Sequence, residues 1–243
     1  MEDMNDQLAL ISGYSGTGKS ASLRNIRNQN RWVYNNTEAG KRLPFKNSFN
    51  NQRISDPWAV HDLFEEAIKN RDMLDGMIVD SINFLMDMYE SVYVLTSNDT
   101  QKAWGQYAQF FRTLMQDKIV RWGKPTIFTG HVSEKLDEVK HEMQVSVPIK
   151  GALSKVGVEA FFSTVVSAKK KTIRELEPFQ SNLLNITEEE RDLGFKHVFQ
   201  TRITKETTGE RIRSPMGLFS KEQTYIDNDA QLLIDHLQKF YHG

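Results

Sequence analysis

The segment Gly13-Tyr14-Ser15-Gly16-Thr17-Gly18-Lys19-Ser20 has the form G-x-x-x-x-G-K-[ST], and it stands directly behind Leu8-Ala9-Leu10-Ile11, a run apolar enough to be a buried strand. A loop of this kind works between a central strand and the start of a helix, and Ser20-Ala21-Ser22-Leu23-Arg24 is compatible with that helix. The residue types supply the chemistry. Glycines let backbone N–H groups turn inward around phosphates, Lys19 reaches the β/γ oxygens, and Ser20 offers a hydroxyl to Mg²⁺. The cradle therefore comprises Gly13, Tyr14, Ser15, Gly16, Thr17, Gly18, Lys19, Ser20 and Ala21, and it predicts a nucleoside triphosphate site.

The remainder of the chain supports an α/β layering. Arg31-Trp32-Val33-Tyr34-Asn35 reads as a second strand ending at Asn36-Thr37-Glu38, and Gly76-Met77-Ile78-Val79-Asp80 as a short apolar strand closed by a carboxylate. Pro125-Thr126-Ile127-Phe128-Thr129-Gly130-His131 is a further buried strand with a polar end. Helical spacing of apolar residues covers 57–68, with Asp56 as N-cap and Pro57 in the first turn, as well as 104–120 and 227–241. On the last helix Leu232, Leu233, Leu237 and Phe240 share one side. Alternating strands and helices specify a mainly parallel central sheet with helices on both faces. Residues 132–155 read as a charged loop, and residues about 170–195 as a polar surface excursion. Residues 196–207 and 210–213 read as an antiparallel hairpin turning at Thr208-Gly209.

With 243 residues and 39% hydrophobic content, the expectation is one domain over 1–243. The absence of cysteine excludes disulfides, thiolate zinc sites and thiol nucleophiles, and suits a reducing cytosol. The acidic start Met1-Glu2-Asp3-Met4-Asn5-Asp6 has no apolar stretch, and no run approaches a membrane span, so a soluble cytoplasmic protein is expected. A formal net charge of −1 argues against a strongly basic nucleic-acid binder and leaves DNA contact to local patches or an assembled surface.

A phosphate loop is common to kinases, GTPases, helicases and recombinases, so the reaction must be read from other residues. Asp80, delivered by an apolar strand, is placed to hold a Mg²⁺ water as a Walker B acid, with Ser20 as the second metal-side group. Its competing reading is a cap on a helix over Ile82–Tyr89. The segment Ile78-Val79-Asp80-Ser81 followed by an apolar helix resembles the Walker B segment of RecA-type ATPases. Three further stretches resemble the small phage RecA-like P-loop nucleotide-binding proteins, a single-strand annealing ATPase group of AAA/RecA type. They are Asn36-Thr37-Glu38 with Leu43-Pro44-Phe45, Ala103-Trp104-Gly105-Gln106-Tyr107, and Ile127-Phe128-Thr129-Gly130-His131. Together with the phosphate loop they span the first half of the chain; beyond His131 only the general layout is similar.

The resemblance implies roles. Glu38, at the end of the second strand, corresponds to the glutamate that orients the attacking water, with Asn36 beside it. His131 corresponds to a polar sensor of the γ-phosphate. A basic residue donated by a neighbouring subunit would complete the site, with Lys205 and Arg211 as candidates and Arg213 a third, among basic residues that also include Arg202. Single-stranded DNA would meet the loops at 92–102 and 132–155, the latter holding Lys135, Lys140, Lys150 and Lys155 among the acids Glu134, Asp137, Glu138 and Glu142. Trp104 and Tyr107 read as packing aromatics. The resulting expectation is an ATP- and Mg²⁺-dependent RecA-like ATPase of phage type, acting as a homo-oligomeric ring or filament in single-stranded DNA binding, annealing or recombination within an infected host cell. Two alternatives remain: a nucleotide-gated assembly protein without a DNA role, and a P-loop nucleotide kinase with 169–194 as a lid carrying Arg174 and Arg191.

Overall fold

In the computed structural model, which describes residues 5–138 and 141–243, ten strands form in chain order. They are β1 (Leu8–Gly13), β2 (Trp32–Asn36), β3 (Asn50–Arg53), β4 (Gly76–Asp80), β5 (Thr126–His131), β6 (Ser133–Asp137), β7 (Glu142–Ser146), β8 (Thr164–Thr172), β9 (Phe195–Gln200) and β10 (Tyr225–Asp227). The helices are α1 (Trp58–Lys69), α2 (Ile82–Tyr89), α3 (Thr100–Thr113), α4 (Ile119–Trp122), α5 (Leu153–Val156), α6 (Ile173–Leu176), α7 (Glu188–Leu193) and α8 (Ala230–His242). Eight strands make one sheet in the order β10-β9-β8-β1-β5-β4-β2-β3. All pairings are parallel except those of β9, which runs antiparallel to both β8 and β10. The sheet is thus mainly parallel with an antiparallel C-terminal pair, as the sequence predicts.

The strands read as continuous apolar runs because helices cover both faces of the sheet. Successive residues of β1 divide between two cores. Leu8 and Leu10 join Phe64, Phe111, Trp122 and Phe128 under α1–α4, whereas Ala9 and Ile11 join Leu23, Phe199, Leu233 and Leu237 under α8. Asp56 accepts from the Trp58 amide at 2.8 Å, so it does cap the first turn of α1. Tyr107 is buried and meets Trp104 edge-on at 5.2 Å, which makes this pair packing aromatics. In α8 the buried side chains are Ala230, Leu233, Ile234 and Leu237, while Phe240 stays 42% exposed and is not part of the seam.

Three local expectations are corrected. The hairpin of 196–207 with 210–213 does not form: β9 stops at Gln200, whose Nε2 donates to Arg202 O and Thr207 Oγ1, both at 2.8 Å. The turn so closed, reinforced by Thr204 N donating to Thr207 Oγ1 at 2.9 Å, breaks the strand. The antiparallel partner of β9 on that side is β10, and 210–213 instead makes single bridges, Glu210 to Val145 and Arg213 to Val165. Residues 132–155 are not simply a loop, because β6 and β7 pair antiparallel from Ser133↔Ser146 to Asp137↔Glu142. Finally, Ser20–Asn25 closes as a 3₁₀ turn rather than an α-helix, with Ser22 Oγ donating to Lys19 O at 2.6 Å.

That turn is fastened to the far end of the chain. Arg24 donates to Asn228 O at 3.0 Å, Asn25 to Asp229 Oδ2 at 2.5 Å, and the Arg27 amide to Gln231 Oε1 at 2.9 Å. An Arg27–Asp235 ion pair completes the clamp onto α8.

Two glycines test the packing in opposite directions. A Cβ on Gly76 would lie 2.3 Å from the buried Trp32 ring, while one on Gly105, in the middle of α3, would meet nothing within 4 Å. Gly76→Ala should lower unfolding stability by about 1–3 kcal/mol through overpacking. Gly105→Ala should raise it by about 0.5–1 kcal/mol by removing backbone entropy from the unfolded chain. Urea denaturation of both variants measures the two signs, and a neutral Gly76→Ala would contradict the Trp32 contact.

Candidate nucleotide-binding site

Because the strands run parallel, the C-terminal ends of β1, β5, β4 and β2 meet at one edge of the sheet, where loops can gather side chains from distant parts of the sequence. A cleft of about 800 Å³ opens there. The phosphate loop forms its centre. Gly16 at φ +77° and Gly18 at φ +94° hold conformations that side-chain-bearing residues rarely adopt. Lys19 is buried, and its Nζ donates to Gly13 O at 2.8 Å and Tyr14 O at 2.7 Å. Burial draws its pKa down to about 8, against the opposing attraction of Asp80 and Glu38.

β5 lies between the phosphate-loop strand and the Asp80 strand. Asp80 is buried; the Tyr34 hydroxyl of β2 donates to its Oδ2 at 2.7 Å, and the Thr129 hydroxyl of β5 donates to its Oδ1. It does not cap α2: Ser81 is the N-cap residue, and no side chain accepts there. The Tyr34 hydroxyl is pushed up, first by burial and then by Asp80.

Glu38 follows β2 in a turn fixed by three bonds. The Thr37 amide donates to Asp80 O at 2.9 Å, the Thr37 hydroxyl to Ser81 O at 2.8 Å, and the Glu38 amide to Asn36 Oδ1 at 3.1 Å. Asn36 also donates to Lys41 O at 2.8 Å, so its job is to shape this turn. The Glu38 carboxylate then meets His131 Nε2 at 3.1 Å and Lys41 Nζ at 3.0 Å. The His131 bond first, and Lys41 with it, hold its pKa down to about 2 against burial. A carboxylate that stays ionised is an acceptor that orients a donor, water included, rather than a strong proton trap. His131 is fixed in turn: its amide donates to Asn83 Oδ1 at 2.7 Å and its carbonyl accepts from Asn83 Nδ2 at 3.2 Å.

The other end of the cleft comes from a region the sequence reading placed on the surface. Thr187, Glu189, Glu190 and Leu193 line it, with Phe195, Lys196 and His197 from β9 and Asn228 beyond β10. The acidic run is therefore a cleft wall. Thr187 and Glu190 form a reciprocal cap on α7, and Lys196, itself buried, pairs with Glu190 at 2.7 Å and Asp227 at 3.2 Å. Nothing in the 170–195 composition signals this, since the partner Lys196 stands outside the polar stretch.

The candidate basic residues lie elsewhere. Lys205 is exposed beside Glu206 at 3.8 Å, Arg211 donates to Val156 O at 3.1 Å and Glu159 Oε2 at 3.3 Å, and Arg213 is exposed. Neither Lys205 nor Arg211 lines this chain's own cleft. Of the lysines expected to face DNA, Lys135 and Lys155 are exposed, Lys150 pairs with Glu90 at 2.7 Å, and Lys140 lies outside the described residues.

The donor set fits Mg²⁺ with a triphosphate. Ser20 and the doubly hydrogen-bonded Asp80 share the cleft with Lys19, and a hard cation completed by phosphate oxygens needs only one or two such protein ligands. Among the described residues no group of three or more His, Asp or Glu side chains stands ready to hold a metal alone.

A phosphate loop at the end of a parallel strand, a buried acid two strands away and a cleft along that edge together define a P-loop NTPase of the α/β class. The chain belongs to the AAA domain family: the profile of that family, AAA_24, matches residues 5–209. No curated protein matches the chain. Among the described residues no helix is long and apolar enough to cross a membrane.

Two variants separate the roles of the site. Lys19→Ala should abolish tight nucleoside triphosphate binding, whereas Glu38→Gln should keep binding and lose turnover by at least about 100-fold. Near-normal turnover in Glu38→Gln would make Glu38 a bystander. Because Lys19 in the free protein gives up its proton as pH rises through about 8, its charge contact with a triphosphate should be present at pH 7. Above about pH 8, affinity should weaken by up to about tenfold per pH unit in calorimetric titrations.

Proposed function

We propose that this protein is a Mg²⁺-dependent ATPase of RecA-like, phage type whose nucleotide state controls single-stranded DNA binding in annealing or recombination. The observation that carries the reading is the bond between Glu38 and His131, made where β5 leaves the sheet and passes within two residues into the β6–β7 hairpin. The hairpin is tied back to the phosphate loop, since the Tyr14 hydroxyl donates to Glu134 and the Val132 amide donates to Gly13 O at 3.2 Å. Loop, water-orienting carboxylate and hairpin thus form one connected unit. A change at the phosphates has a short physical route to the surface proposed to meet DNA.

In this reading Lys19 binds the β/γ oxygens, Ser20 and Asp80 hold the metal, Glu38 orients the attacking water, and His131 senses the phosphate through its bond to Glu38. When bound, Mg²⁺ supplies charge neutralisation at the phosphate oxygens. The exposure of Lys205 supports its donation to the cleft of a neighbouring copy, which makes the active form a homo-oligomer working in the host cytoplasm. A nucleotide kinase is disfavoured because Glu189 and Glu190, not Arg174 and Arg191, line the cleft.

Single-stranded DNA should bind more tightly with a non-hydrolysable ATP analogue than with ADP, with a salt slope of about 0.7 per phosphate contact. His131→Ala should collapse that difference while leaving ATP binding nearly intact. Equal DNA affinity in both states would break the coupling, and no DNA binding at low salt would favour a nucleotide-gated assembly protein.

Mixing Lys205→Ala protein with Lys19→Ala protein should restore part of the ATPase activity that neither shows alone. No rescue in confirmed mixed oligomers, for Lys205 or for the matching Arg211 and Arg213 variants, would remove the shared site.

A further inference from the structure

Glu38, Asp80 and His131 all stand on the β5-β4-β2 side of the phosphate loop, so a triphosphate with its terminal phosphate toward them points its nucleoside toward β8, β9 and β10. That end of the cleft is built. β9, being antiparallel, brings its first residues to the same edge, and β10, parallel to β8, delivers Asn228 one residue past its end. Asn228 is 4% exposed and lies over Gly18, where a Cβ would come within 3.1 Å of its Nδ2. Its Nδ2 donates to Thr17 O at 3.4 Å, which fixes the amide orientation, and its buried Oδ1 has no hydrogen-bond partner among the described residues. His197 Nδ1 stands 3.1 Å from the same Thr17 O. A carbonyl only accepts, so Nδ1 is the donor, and in the tautomer this contact selects Nε2 is the acceptor. Phe195 and the 58% exposed Leu193 line the same end and add apolar surface.

We propose that Asn228 and His197 accept hydrogen bonds from the nucleoside while Phe195 and Leu193 pack against the base, so that this end of the cleft selects the nucleotide. The inference rests on the reading of the cleft as a triphosphate site. A buried acceptor without a partner is costly, and a ligand that brings a donor recovers that cost while one that brings another acceptor does not. The donor is either an exocyclic base amino group, as on adenine, or a ribose hydroxyl. Inosine, with a 6-oxo group in place of the amino group, presents an acceptor at the same position.

Calorimetric titration of the whole protein with ATP, ITP, 2′-deoxy-ATP, 3′-deoxy-ATP and inorganic tripolyphosphate tests this. Asn228→Ala and Phe195→Ala should each weaken ATP by about five- to tenfold while leaving tripolyphosphate unchanged. Unchanged tripolyphosphate binding shows that the loop beneath Asn228 is intact, and Phe195, which makes no bond to that loop, guards against a purely structural effect. A penalty for ITP assigns the donor to the base, and a penalty for either deoxynucleotide assigns it to the ribose; both support the proposal. It is overturned if ATP affinity is unchanged in both variants, if tripolyphosphate falls in parallel with ATP in both, or if ATP, ITP and the deoxynucleotides bind alike. Should wild-type protein bind neither ATP nor tripolyphosphate, the triphosphate reading fails and this inference with it, whereas tripolyphosphate binding without nucleoside discrimination sinks this inference alone.

Discussion

The Asp80 carboxylate joins three strands. Tyr34 from β2 and Thr129 from β5 both donate to it, so the side chains of three adjacent strands close on one buried charge at the edge where the cleft opens. A buried carboxylate is costly unless its oxygens are hydrogen-bonded, and here both are. The consequence is positional. The Thr37 turn hangs from the backbone of Asp80 and Ser81, Glu38 hangs from that turn, and His131 finds Glu38 because β5 is held beside β4. Loosening Asp80 would move Asp80, Glu38 and His131 together.

The opposite end of the cleft depends on a second buried charge of the other sign. Lys196 is taken out of water between Glu190 and Asp227, and this triad holds α7 and the end of β10 against β9. Its two acceptors come from opposite sides of β9 in the sequence, so the single lysine sets where a polar excursion comes to rest. Without it, a run of three glutamates would favour solvation over a place in a cleft wall.

What the sequence disclosed and what it hid divide along physical lines. Periodicity and the glycine loop are local, and they give the parallel strands β1, β2, β4 and β5, the helices α1 and α8 and the loop residues closely, whereas the helix read over 104–120 is α3 from Thr100 to Thr113 followed by a π turn and α4. Pairing partners are not local. The bond of Glu38 to His131 spans 93 positions and becomes visible only once β2, β4 and β5 are known to be neighbours. The β6–β7 hairpin is hard to read because neither strand is buried and β6, Ser133–Asp137, holds Leu136 as its one apolar residue; the alternation Met143, Val145, Val147 marks β7 alone, and Leu136 and Met143, directly opposite each other, are both exposed. The 210–213 segment failed in the reverse way. It has strand-like residues, but β10 takes the edge it would need.

The clamp between the 3₁₀ turn and α8 has a consequence for the order in which the protein matures. The turn that closes the phosphate loop leans on groups 204 positions further along the chain. At ribosomal rates of about 5–20 residues per second, that interval takes about 10–40 s. During it the first functional segment to be made has a strand behind it but no floor. The newborn phosphate loop therefore waits for residues made 204 positions later before the turn that closes it has these hydrogen bonds.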